Sequence, residues 1–206
     1  MPGRATLASS GRGAGGCARN RGVRFVPTDL PGVVLVEADV FGDPRGWFVE
    51  VYHQPKFAAA GLKAGFVQDN HSRSVRGTLR GMHLQHPHGQ VKLVRVVQGE
   101  VFDAVVDVRR GSPTFGRATW AVLSAENRRQ LWVPAGFAHG FCVLSETADF
   151  VYKCSDVYSP ADERGIRWDD PALDIPWPVQ TPIVSARDER LPRLADVDFP
   201  LPSYEG

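Results

Sequence analysis

An all-β fold is predicted for this chain, and three observations predict it. Short runs rich in β-branched and aromatic residues recur roughly every 8–12 residues, the spacing of a sandwich or barrel. Gly, Pro or Asn stands between most of them, where turns are needed. Ahead of the last fifty residues, only one segment, 54–60, carries a helix-forming composition, and it stops at Gly61. With 206 residues the chain suffices for one well-buried domain.

Residues 1–22 are mostly Gly, Ala, Arg and Ser with almost no large apolar side chain. They cannot bury enough surface to offset the entropy of ordering, so a disordered extension is expected, with the domain spanning 23–206. The run 33–38 is β-branched and bounded by Pro31-Gly32; 46–52 is a second short strand. Strands then follow at 66–72, 78–85, 90–98, 100–108, 117–123, 129–133, 139–144 and 149–155. Gln98-Gly99 makes a tight hairpin turn between two nearly continuous apolar runs. From Ser159 the chain is rich in Pro and Asp, which predicts short helices and loops wrapped round the barrel.

The net charge is +1, which excludes a general attraction to nucleic acid or to anionic membrane. It is unevenly spread: Arg4, Arg12, Arg19 and Arg21 stand without an acid in 1–22, and the remainder holds 20 basic against 23 acidic residues. A basic patch in the domain must therefore be made by a few placed arginines. Cys17, Cys142 and Cys154 are too few, and odd in number, for a disulfide framework. No run of 18 apolar residues and no secretory h-region is present, so a cytoplasmic protein is expected.

Pro134-Ala135-Gly136-Phe137-Ala138-His139 fits P-x-G-x-x-H and resembles the second motif of cupins, whose histidine binds metal. The resemblance implies a cupin-type jelly-roll barrel, a double-stranded β-helix. The first cupin motif wants H-x-H followed by an acid. Here His86-Pro87-His88 reads as an exposed turn, and Lys92 fills the acidic slot. A protonated ammonium has no lone pair to offer a cation, so no metal is expected. The barrel interior is then lined by His83, Lys92 and His139. Arg80 lies three residues from His83, which in a regular strand faces the other way. A bulge at Gly81 would bring both to one face.

Many ordered segments resemble the dTDP-4-dehydrorhamnose 3,5-epimerase family: 41–50 (FGDPRGWFVE), 66–72 (FVQDNHS), 77–83 (GTLRGMH), 92–97 (KLVRVV), 101–103 (VFD), 126–127 (EN), 130–134 (QLWVP), 136–141 (GFAHGF), 163–166 (ERGI), 168–171 (WDDP) and 185–188 (SARD). The resemblance runs from about residue 23 to 197. It implies a nucleotide-sugar epimerase that acts beside the C4 ketone of a dTDP-4-keto-6-deoxy sugar. Such chemistry needs a base, a stabiliser for the enolate oxygen and an acid on the opposite face, and no cofactor, because the ketone is the electron sink.

By the same resemblance His83 is the base, with a side-chain type whose ordinary pKa near 6.5 suits the work, and Asp188 is its partner. Lys92 stabilises the enolate, with His139 sharing that contact or binding the sugar. Tyr152 is the acid, a phenol that keeps its proton at neutral pH; Tyr158 is an alternative, and Val157 stands before it where family members often carry a second tyrosine. Arg45, Arg80 and Arg187 match positions that bind substrate, and a guanidinium fork suits a diphosphate. Glu50, Gln68, Asn70 and Glu163 match polar positions that hold the nucleotide or sugar. Trp47 or Phe48 stacks on thymine or lies at the edge of the core. The family also implies a homodimer whose N-terminal strands reach into the partner's site. A single-site C3 or C5 epimerase, and a non-catalytic or metal-binding cupin, are the competing readings.

Overall fold

The computed structural model describes residues 18–20 and 22–205. Its elements in order are β1 (Ala18–Asn20), β2 (Val23–Pro27), β3 (Val34–Ala38), β4 (Val40–Asp43), β5 (Gly46–Val49), α1 (Gln54–Ala59), β6 (Gln68–Val75) and β7 (Leu79–Gln85). There follow β8 (Lys92–Gln98), β9 (Glu100–Asp107), β10 (Ala118–Ser124), β11 (Gln130–Val133), β12 (Phe137–Val143), β13 (Thr147–Cys154) and β14 (Glu163–Gly165). Seven strands form one antiparallel sheet in the order β1-β2-β3-β11-β8-β13-β6; five form a second, β10-β9-β12-β7-β14. From β6 to β14 the chain crosses repeatedly between the two sheets, which is the jelly-roll pattern of a cupin-type barrel.

Alternation along the strands decides what each face meets. Val94 and Val96 of β8, Val101 and Val105 of β9, Phe141 of β12 and Phe150 of β13 point between the sheets and form the barrel interior. The opposite face of the five-stranded sheet, with Leu79, Met82, Leu84 and Val106, is covered by Trp168, Trp177 and Leu194 of the C-terminal segment. The opposite face of the larger sheet is capped by α1, whose buried Phe57 meets the Phe25 ring edge-on at 5.1 Å. The tail expected to wrap the barrel does so, with three short 3-10 helices at Pro171–Leu173, Asp188–Arg190 and Leu194–Asp196.

Three regions differ from the sequence reading. The expected single strand 46–52 is a hairpin, β4 with β5, that pairs with neither large sheet. Asp43 Oδ1 accepts from Arg45 N at 2.8 Å and Gly46 adopts φ +135°, so a turn forms where a strand edge was expected. The hairpin exposes Phe41, Trp47 and Phe48, with the Arg128 guanidinium 4.5 Å over Trp47. Within 1–22, expected to be disordered, residues 18–20 pair with β2; 1–17 and 21 lie outside the described residues. β14 was not foreseen, since three residues show no periodicity.

Candidate active site

Strand β7 carries the first parts of the site. Its pairing with β12 shifts register: His139 lies opposite His83, but Phe141 lies opposite Arg80, so β7 holds one extra residue. This is the bulge anticipated at Gly81. Gly81 has φ +133°, and a Cβ there would lie 2.6 Å from Gly140 Cα and 3.0 Å from His139 O. Only glycine lets the two backbones approach so closely, and that approach turns Arg80 and His83 into one cleft.

The cleft has a volume of about 590 Å³. His83, Lys92, His139, Tyr152, Arg80, Arg187 and Asp188 all line it, over a floor of stacked Phe141 and Phe150 with centroids 4.1 Å apart. It continues into a lobe of about 330 Å³ that shares His83, Lys92 and Tyr152 and adds Gln68, Asn70, Tyr158 and Glu163.

His83 Nε2 lies 2.7 Å from Asp188 Oδ1. Asp188 is only 4% exposed; its other oxygen accepts from Gly81 N at 3.4 Å, and its own N–H is held by Ser185 Oγ at 3.0 Å. Burial raises the Asp188 carboxyl, but the hydrogen bond and charge of His83 and the Gly81 and Ser185 contacts outweigh it and hold the group below its ordinary value. A carboxylate only accepts, so Nε2 carries a proton, and in the neutral ring the lone pair is left on Nδ1.

Lys92 is held below its ordinary value because burial of its ammonium outweighs the nearby Cys154, Glu163 and Asp103. The residue as a whole keeps partial exposure because it borders the cleft. Across from it, His139 Nε2 lies 3.0 Å from both oxygens of Asp103, which is wholly buried. Burial pushes the Asp103 carboxyl up, against His139 and Lys92 pulling it down. Asp103 had no role in the sequence reading; its signal was a lone acid inside the apolar run of β9. Burial also raises Tyr152, with Cys154 adding and Arg80 opposing. Its hydroxyl has no hydrogen-bond partner among the described residues.

In the adjoining lobe Glu163 accepts from Tyr158 Oη at 2.5 Å and pairs with Arg187 at 2.5 Å. Burial raises Glu163, and the Tyr158 and Arg187 contacts bring it below its ordinary value. Gln68 Nε2 donates to Asn70 Oδ1 at 3.1 Å. Arg45 and Glu50 are the exceptions among the foreseen residues: neither borders the cleft of its own chain. Arg45 sits on the exposed hairpin, with its side chain 90% exposed and bound to Asp43, and Glu50 pairs with Lys56 at 2.6 Å. The hairpin joins no large sheet, so nothing in the fold carries these two residues inward. No cluster of three His, Cys, Asp or Glu able to hold a metal occurs among the described residues, and His88 is engaged with Asp162 at 2.8 Å.

A jelly-roll barrel whose interior pairs an imidazole with a carboxylate, beside a desolvated ammonium and an unbonded phenol, defines the class: an isomerase equipped to move protons on carbon. Residues 27–196 match the family described as dTDP-4-dehydrorhamnose 3,5-epimerase. The enzyme of that name from Shigella flexneri is 53% identical over 86% of this chain and 99% of its own length. The one from Pseudomonas aeruginosa is 56% identical over 83% and 96%. A crystal structure of the dTDP-6-deoxy-D-glucose-3,5-epimerase of Legionella pneumophila in complex with dTDP-4-keto-L-rhamnose superposes with a TM-score of 0.86, at 44% identity, covering 89% of this chain and all of that one. The chain belongs to the dTDP-4-dehydrorhamnose 3,5-epimerase family.

Proposed function

We propose that the protein epimerises dTDP-4-dehydro-6-deoxy-D-glucose at C3 and C5, giving dTDP-4-dehydro-L-rhamnose for dTDP-L-rhamnose synthesis. The observation that carries the reading is that the His83–Asp188 pair, the Lys92 ammonium and the free Tyr152 phenol all face one cleft. His83 Nδ1 takes the proton from the carbon beside the ketone. The electron pair of that C–H bond moves onto the C4 oxygen, where Lys92 and His139 oppose its charge. When the pair returns to carbon, Tyr152 delivers a proton to the opposite face, which inverts the centre. The ketone is regenerated, His83 returns its proton to water and Tyr152 regains one from water, so protons and electrons balance without a cofactor.

Arg80 and Arg187 hold the diphosphate, and Gln68, Asn70 and Glu163 hold the sugar or nucleotide. Arg45 and Glu50 act in the cleft of a second copy, carried there by the β4–β5 hairpin of a homodimer. The exposed Phe41, Trp47 and Phe48 support this, because clustered aromatic surface on a hairpin that joins neither large sheet is stabilised when a partner covers it. The cytoplasm is the site of action, in keeping with two free, buried cysteines, Cys142 and Cys154. Among the described residues no helix is long and apolar enough to cross a membrane.

Incubation with the keto sugar in D₂O tests the reading. Deuterium is expected at both C3 and C5, and none with His83→Asn. Incorporation at one carbon alone identifies a single-site epimerase, and undiminished exchange by the variant removes His83 as the base.

A further inference from the structure

The segment between β13 and β14 brings Tyr158 to the lining of the smaller lobe, and its backbone is gripped by side chains from the barrel. Gln85 of β7 is 5% exposed and lies two residues beyond His83 on the same strand face. Its Oε1 accepts from Ser159 N at 2.8 Å. Its Nε2 donates to Val157 O at 3.3 Å and to His88 O at 3.0 Å. The two residues flanking Tyr158 are thus bound by one buried amide, while Tyr158 N donates to Gln68 Oε1 at 2.8 Å. Gln85 stands directly opposite Glu163 in the β7–β14 ladder, and Glu163 accepts from the Tyr158 hydroxyl. The backbone on either side of Tyr158 is therefore tied to Gln85, and its phenol to Glu163, the cross-strand neighbour of Gln85 on the strand paired with the one that bears His83.

We propose that Gln85 is a positioning residue that sets how Tyr158 closes the lobe, and so how tightly the bound nucleotide sugar is held. The inference rests on the epimerase reading above. The side-chain amide suits the task because it needs an acceptor for Ser159 and donors for two carbonyls at once. A carboxylate of the same shape supplies only acceptors and would face the Val157 and His88 carbonyl oxygens with like charge. Tyr158 is half exposed, so without this grip water competes for every contact that holds it.

Gln85→Glu tests the proposal, made alone and with Tyr158→Ala, with kinetics and melting temperature measured on the full chain. KM for the keto sugar is expected to rise about tenfold, with kcat changed less than threefold. In the Tyr158→Ala background the same substitution is expected to change KM no further, since its effect travels through the missing side chain. Ser159→Pro deletes the N–H that Gln85 accepts, from the loop rather than the sheet. It keeps the test decisive if Gln85→Glu does not fold, and should raise KM similarly. An unchanged KM, or the same factor in both backgrounds, overturns the proposal. Deuterium exchange by the wild-type protein separates the two levels: exchange at C3 and C5 with unaffected variants sinks only the role of Gln85, whereas no exchange removes the epimerase reading beneath it.

Discussion

Replacing Asp188 by asparagine changes one charge and almost no shape, so it isolates what the carboxylate does for His83. The carboxylate can only accept, and at 2.7 Å it fixes the proton on Nε2 and leaves the lone pair of Nδ1 for the substrate. An asparagine can turn its NH₂ toward the ring, reverse that tautomer, and withdraw the negative charge that stabilises the imidazolium formed by proton abstraction. In a related hydrolytic arrangement the same exchange costs about 10⁴-fold. Here the His83 side chain is 28% exposed, so water partly replaces the lost carboxylate. The expected loss is about 10²–10³-fold, or about 3–4 kcal/mol in the barrier. The rate of deuterium incorporation at C3 and C5 measures it, with the melting temperature as a check on folding. Exchange within about threefold of wild type, in a protein that melts normally, would refute the argument that Asp188 sets the state of His83.

Lys92→Met removes an ammonium that burial already disfavours; the melting temperature should stay level or rise while exchange falls by about 100-fold or more. A less stable but fully active variant would contradict this. Asp107 is fully buried, and although burial pushes it up, hydrogen bonds from Arg109, Ser112 and Thr114 hold its pKa down to about 2. Because the folded value lies below the ordinary 3.8, its stabilisation is present above pH about 4 and lost as pH falls toward 2. Melting temperature against pH should drop across that window and be flatter there in Asp107→Asn. If Arg45 serves the partner's cleft, Arg45→Ala and His83→Asn should each be inactive, yet subunits mixed under conditions of exchange should recover about a quarter of wild-type activity; no recovery would show that Arg45 does not serve the partner's cleft.

The strands of the barrel were legible along the chain. Strand alternation and turn residues are local, so the run from β6 to β13 and the short helix were legible with shifts of a few residues at their ends. The bulge at Gly81 followed from two residues that had to share a face three positions apart. The His83, Lys92, Tyr152 and Asp188 set was legible through resemblance, since no spacing rule joins Asp188 to His83 across 105 residues. The remaining features depend on long-range packing. Asp103 and Gln85 acquire meaning from what lies across the sheet, His139 for one and the backbone beside Tyr158 for the other. Arg45 and Glu50 matched the family in sequence, yet their position depends on where an unpaired hairpin projects. A contact between distant segments is set by how sheets pack and register, and that information is spread over the whole chain rather than written beside the residue it places.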